Sequence, residues 1–139
     1  MGKPTILIVD DQDHIRQLLT ISLEICGYRV LTARDGVDAL KNLNAYPIDL
    51  LLTDWSMPEM GGEELSRHVR DKHPALPVIV ISCSNSPLSK SEYSAIGIQS
   101  WVKKPFRIKD IQNSVADALN DAQPLLHHTE ISQTAQAKA

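Results

Sequence analysis

Three carboxylates, a hydroxyl and an ammonium are spaced along this chain so that they could do chemistry together. Asp10 and Asp11 follow the apolar run Thr5-Ile6-Leu7-Ile8-Val9. Asp54 closes Leu50-Leu51-Leu52-Thr53, Ser82 closes Pro77-Val78-Ile79-Val80-Ile81, and Lys103-Lys104-Pro105 follow Ser100-Trp101-Val102. Each has a plain reading by itself: Asp54 starts a turn, Asp11 caps a helix, Ser82 is a satisfied core hydroxyl, Lys104 is a surface charge. All of them at corresponding ends of apolar runs argue instead for one shared site. Carboxylates crowded together repel, and one of them resists ionising. A divalent cation and an ammonium relieve this, and two or three carboxylates plus water make the partial shell that Mg²⁺ accepts. Such a site suits phosphoryl transfer, where catalysis is largely positioning and charge neutralisation. A carboxylate can itself be the nucleophile and form an aspartyl-phosphate.

The elements that must position these groups are legible in the apolar pattern. Short apolar runs bounded by turn signals read as strands buried on both faces. They predict strands at Thr5–Val9, Tyr28–Ala33, Leu50–Asp54, Pro77–Ser82 and Ser100–Lys103. Helical spacing fills the gaps. A first helix runs to about Cys26 on Ile15, Leu18, Leu19, Leu23 and Cys26, with Asp11 or Asp13 as its cap and Gly27 as its stop. A second uses Val37, Leu40 and Leu43. A third, 62–72, uses Leu65 and Val69 and is closed by Pro74. A fourth is thinly apolar, 88–96, and a fifth uses Ile108, Ile111, Val115, Ala118 and Leu119. Five alternations of strand and helix predict an α/β fold, a doubly wound parallel sheet covered on both faces. In such sheets ligands bind at the carboxyl edge of the strands, which is where Asp54 falls.

Composition agrees with one packed domain. The chain has 139 residues, 42% of them apolar, with a net charge of -3. There is no basic stripe, which speaks against nucleic-acid binding, and no apolar run long enough for a membrane span or a leader. Cys26 and Cys83 read as reduced, core or near-core thiols of an intracellular protein. The segment 122–139, with Pro124 and His127-His128, reads as a frayed tail or a cut linker.

With these residues in place, the chain resembles the receiver domain of two-component response regulators, the fold of the chemotaxis response regulator. The resemblance rests on Asp10-Asp11, on Asp54-Trp55-Ser56-Met57-Pro58-Glu59-Met60-Gly61-Gly62, on Ser82 and on Lys104-Pro105, and covers about residues 4–121. It implies a flavodoxin-like sheet in strand order 2-1-3-4-5 and a receiver domain over 1–121. It implies that Asp54 is the phosphoacceptor and that Asp10, Asp11, Asp54 and the Ser56 carbonyl hold Mg²⁺. Lys104 then contacts the phosphoryl group, the Lys104–Pro105 bond is cis, Ser82 is the switch hydroxyl and Trp101 takes the switch aromatic position. The donor is a histidine kinase or a histidine phosphotransfer protein in the cytoplasm. A downstream protein binds the face of the fourth helix, fifth strand and fifth helix. The module is a switch rather than a turnover enzyme, either free-standing or the first domain of a longer protein.

Three departures from the family pattern stand out: Ser82 where Thr is commoner, Trp101 where Tyr or Phe is usual, and Ile98 after Gly97 where a small residue is common. Overfilling a packed core costs about 1–3 kcal/mol, which favours an outward Trp101 over one turned in. The rival is a phosphatase or phosphotransferase of the haloacid dehalogenase type, whose Asp-x-Asp signature is faintly imitated by Asp11-Gln12-Asp13. Ile15 and the absence of a cap-like insertion argue against it.

Overall fold

The computed structural model describes residues 2–121; the expected tail at 122–139 lies outside the described residues. The elements alternate throughout: β1 (Thr5–Val9), α1 (Asp13–Ile25), β2 (Arg29–Ala33), α2 (Gly36–Ala45), β3 (Leu50–Asp54), α3 (Gly62–Lys72), β4 (Val78–Ser82), α4 (Lys90–Ala95), β5 (Ile98–Lys103) and α5 (Ile108–Asp121). The five strands form one parallel sheet in the order β2-β1-β3-β4-β5. Every residue of β1, β3 and β4 is buried. That is why these strands are continuous apolar runs and not alternating ones.

The sheet divides the core in two. On one face Ile6, Ile8, Leu50, Leu52, Ile79 and Ile81 pack against Leu19 and Leu23 of α1 and Ile111, Val115 and Ala118 of α5. On the other, Leu7, Val9, Leu51, Val78 and Val80 pack against Ala39 and Leu43 of α2 and Leu65 and Val69 of α3. Truncating a buried leucine such as Leu51 costs about 2–5 kcal/mol, so the strands that carry the polar groups are the most firmly held part of the chain. Among the described residues no helix is long and apolar enough to cross a membrane.

Several details differ from the sequence pattern. Cys26 and Cys83 are both exposed free thiols, not core groups: Cys26 follows the last turn of α1 and Cys83 begins the loop after β4. On α1 the buried face is Leu19, Ser22 and Leu23, while Leu18 is 43% exposed. The helix turns by about 100° per residue, and the stripe over the sheet is narrower than the apolar residues suggest. Neither Asp11 nor Asp13 caps α1; Gln12 is the N-cap, with no side-chain bond. Gly27 does follow the helix with φ 94°, the left-handed stop. The fourth helix shrinks to Lys90–Ala95 behind a capping box in which Ser89 and Glu92 satisfy each other's backbone N–H.

Gly62 fixes how α3 leaves β3. A β-carbon there would lie 2.7 Å from the Asp54 carbonyl oxygen and 2.9 Å from the Trp55 α-carbon, and the Gly62 N–H already donates to the Trp55 carbonyl at 2.7 Å. In an open helix Gly→Ala would stabilise by about 1 kcal/mol. Here backbone must move, so Gly62→Ala should destabilise by about 1–3 kcal/mol, measured by urea unfolding. A stabilised variant would show that the turn after Asp54 is not tightly packed.

Candidate functional site

Register brings the polar groups to one edge. Val9 pairs with Thr53, so Asp10 and Asp54, one step further on, are neighbours. Asp54 pairs with Ile81 across β3 and β4, and Ser82 pairs with Lys103 across β4 and β5. Lys104 is then turned back over the sheet end, its N–H donating to the Ser82 carbonyl at 2.7 Å. Its ammonium lies 3.4 Å from Asp10 Oδ2 and 3.6 Å from Asp54 Oδ1. The Lys104–Pro105 peptide bond is cis.

Asp10 and Asp54 are buried and Asp11 is exposed, and each offers a carboxylate oxygen within 4.8 Å of the others'. Other groups hold them in place. Asp10 Oδ1 accepts the Gln12 N–H at 2.9 Å, and Arg16 Nη1 donates to the Asp10 carbonyl at 2.6 Å while also pairing with Asp13. The Thr53 hydroxyl donates to the Asp54 carbonyl at 2.9 Å, and the Trp55 N–H donates to the Ile81 carbonyl at 3.0 Å. Nothing in the sequence singles out Arg16 and Thr53: an Arg one turn into a helix and a Thr in a strand carry no motif.

The electrostatics follow from crowding. Burial raises the Asp54 carboxyl above its ordinary value, and the Asp10 charge raises it further. Lys104 opposes this, Asp11 adds to it, and a hydrogen bond from the Ser56 backbone opposes it again. Three carboxylates against one ammonium leave the cluster two negative charges in excess when all are ionised. An all-oxygen, over-negative, partly open cluster is the donor set that a hard divalent cation takes.

The remaining sequence-marked groups stand close by. Ser82 is buried at the end of β4, and its Oγ accepts the Ser84 N–H at 3.1 Å. Ser56 is exposed on the loop after Asp54. Trp101 is half-buried on β5: its indole N–H donates to the Ser84 carbonyl at 2.8 Å. Its ring centroid lies 4.7 Å from that of Trp55, tilted by 60°, and 6.2 Å from that of Tyr93, stacked at 26°. This aromatic group joins residues from three parts of the chain, so no local pattern announces it.

Comparison with known proteins agrees with this geometry. The family described as "Response regulator receiver domain" matches residues 6–116. A probable transcriptional regulator of Cyanidium caldarium, ycf27, is 32% identical over 85% of this chain, which spans 47% of that relative's length. The CAI-1 autoinducer sensor kinase/phosphatase CqsS of Vibrio cholerae is 36% identical over 80% of this chain, which spans only 17% of it. Among solved structures, the chemotaxis protein CheY4 of Vibrio cholerae superposes with a TM-score of 0.78 at 31% identity, covering 84% of this chain and 99% of that one. The response regulator TrrA of Thermotoga maritima, solved in complex with Mg(2+)-BeF, superposes with a TM-score of 0.73 at 30% identity, covering 83% of this chain and 98% of its own.

The raised Asp54 carboxyl makes stability depend on pH. A folded-state pKa above the ordinary 3.8 means that the favourable, protonated form is fully present below that value and is lost as pH rises through the folded-state value. At neutral pH the ionised Asp54 therefore works against folding in the metal-free protein. Asp54→Asn should raise the melting temperature in chelator at about pH 7, and the gain should shrink towards about pH 4. Thermal unfolding at both pH values checks this, and a variant less stable than wild type at neutral pH would contradict it.

Proposed function

The chain belongs to the response regulator receiver family, whose members are phosphorylation switches of two-component systems, and from that premise we propose that Asp54 is the phosphoacceptor of a cytoplasmic phosphorelay. The observation that carries the reading is the placement of Asp54. It is a buried carboxylate at the end of β3 with the Lys104 ammonium at 3.6 Å and two further carboxylates beside it.

In this reading an Asp54 carboxylate oxygen attacks the phosphorus of a phosphohistidine. The O–P bond forms as the N–P bond breaks, and the imidazole leaves with the electron pair and takes a proton. Asp10, Asp11 and Asp54, with the Ser56 carbonyl, would hold Mg²⁺; when bound, it neutralises charge on the transferring phosphoryl group. Lys104 supplies a fixed positive charge on the other side, held towards Asp54 by the backbone bond to Ser82. Ser82 donates its hydroxyl proton to a phosphoryl oxygen, a charge-assisted hydrogen bond. Attack of water on the phosphorus releases phosphate and restores the carboxylate, so the domain assists its own resetting without turning over a substrate. The donor is a histidine kinase or a histidine phosphotransfer protein. The face of α4, β5 and α5 receives a downstream protein.

Acetyl phosphate with Mg²⁺ should add one acid-labile phosphoryl group, and mass spectrometry should locate it on Asp54. Asp54→Asn should abolish labelling, because an amide is not that nucleophile. A label on Asp11 would favour the phosphatase reading instead.

The metal reading has its own test. Mg²⁺ should raise the melting temperature by mass action once its concentration exceeds its dissociation constant. Asp11→Ala should lose most of that rise. The same variant removes one of the repelling charges, so without metal it should be at least as stable as wild type. Retention of the full Mg²⁺ response in Asp11→Ala would remove Asp11 from the ligand set.

A further inference from the structure

We propose that Arg16 is a positioning residue for the Asp11 carboxylate: by holding the main chain on one side of Asp11 it keeps that carboxylate beside Asp10 and Asp54, and so sets how tightly the cluster takes a divalent cation. The inference rests on the reading of the three carboxylates as a Mg²⁺ site and concerns what shapes it. Asp10 and Asp54 are buried, whereas Asp11 is exposed. The sheet holds the first two: Asp54 closes β3, and Asp10 follows β1 with its N–H donating to the Ala33 carbonyl at 3.2 Å. Asp11 lies outside the sheet and outside the core, yet its carboxylate stands within 4.8 Å of two like charges that repel it. Its main chain must keep it there.

Both peptide planes that flank Asp11 are pinned. The Asp11–Gln12 plane is held by the Gln12 N–H, which donates to Asp10 Oδ1 at 2.9 Å. The Asp10–Asp11 plane is held by Arg16 Nη1, which donates to the Asp10 carbonyl at 2.6 Å. Arg16 Nη2 pairs at the same time with the Asp13 carboxylate, so the guanidinium fork ties Asp10 to the first residue of α1. Two features set this apart from an ordinary surface ion pair. The Arg16 side chain is only 14% exposed, and burying a cation is costly unless it is paired and hydrogen-bonded. It also sits in the first turn of α1, where a cation works against the helix macrodipole. Gln12, the N-cap, makes no side-chain bond, so Arg16 ties the loop to the helix from inside the helix. The counter-charge to Asp10 and Asp54 is Lys104, which leaves the main chain as the part of the site on which Arg16 acts.

The sign of the effect separates position from charge. Removing a nearby cation tightens a cation site if charge alone matters; removing a positioning bond loosens it. Arg16→Met keeps the apolar stem and loses the charge and the donors. Titration with MgCl2, read from main-chain N–H resonances without any phosphodonor, should give a dissociation constant raised about three- to tenfold, the range of one hydrogen bond. An affinity that is unchanged or tighter would overturn the proposal while the Mg²⁺ site stands. A double-mutant cycle in chelator gives a readout free of metal. The gain in melting temperature from Asp11→Ala should shrink in the Arg16→Met background, because there the freed carboxylate has already swung away from Asp10 and Asp54. An equal change in both backgrounds would overturn the link to Asp11. No Mg²⁺ binding by the wild type would overturn the metal reading and this inference with it. If Arg16→Met does not fold, Arg16→Lys takes its place in both measurements. It keeps the charge and loses the fork, so weaker Mg²⁺ binding would uphold the proposal and wild-type affinity would overturn it.

Discussion

Everything at this site depends on holding like charges together. Two unit charges no more than 4.8 Å apart repel by at least about 3 kcal/mol at an effective dielectric of about 20. That is a large fraction of the roughly 5–15 kcal/mol by which a domain is stable. Lys104 relieves part of the repulsion, and the rest is borne by the sheet. The residues behind the charges, Val9, Leu52, Thr53 and Ile81, are almost wholly buried, and the carboxylates cannot separate without disturbing that packing. The core is therefore what keeps the site over-negative and ready for cations.

Parallel pairing makes this possible in a short chain. Each strand in a parallel sheet ends at the same edge, so one group per strand yields a convergent site without any long loop. The helices between the strands return the chain and cover the faces. The close approach of α3 to the Asp54 carbonyl at Gly62 extends the same arrangement: the turn that follows the central carboxylate is packed against it. Gly36 plays a similar part at the start of α2, where a β-carbon would lie 2.7 Å from the Met60 side chain. Both glycines brace the loop that carries Trp55 to Met60.

How much of this is legible in the sequence depends on whether the signal is local. The strands and the edge site are readable because complete burial writes itself as unbroken apolar runs, and the register follows once the strands are ordered. The first helix reads too broadly: Leu18 and Cys26 are apolar but turned outward, and hydrophobicity alone cannot say which of several apolar stripes faces the sheet. Cys83 misleads in the same way, because it follows a buried strand yet already belongs to the exposed loop. The short fourth helix has a usable signal in Ser89-Lys90-Ser91-Glu92, a capping box that marks its start. The seating of Trp101 on Trp55 and Tyr93, and its bond to Ser84, join segments far apart in sequence. Only the folded chain brings them together.

The same packing decides where a signal from the edge can go. Helices α1, α2, α3 and α5 each bury side chains in the core. Helix α4 has six residues and buries none of them. Its start is held by the exposed capping box, and its hold on the body runs through the half-buried Tyr93 against Trp101 and through Ile96 just beyond its end. Local stability tracks the apolar contacts an element makes, so α4 can shift at the least cost of the five helices. It also lies directly after the loop that contains Ser82's partner, Ser84. A change at the carboxylate edge therefore meets the weakest-held helix first, and the contact of Tyr93 with Trp101 joins that helix to the strand beside it.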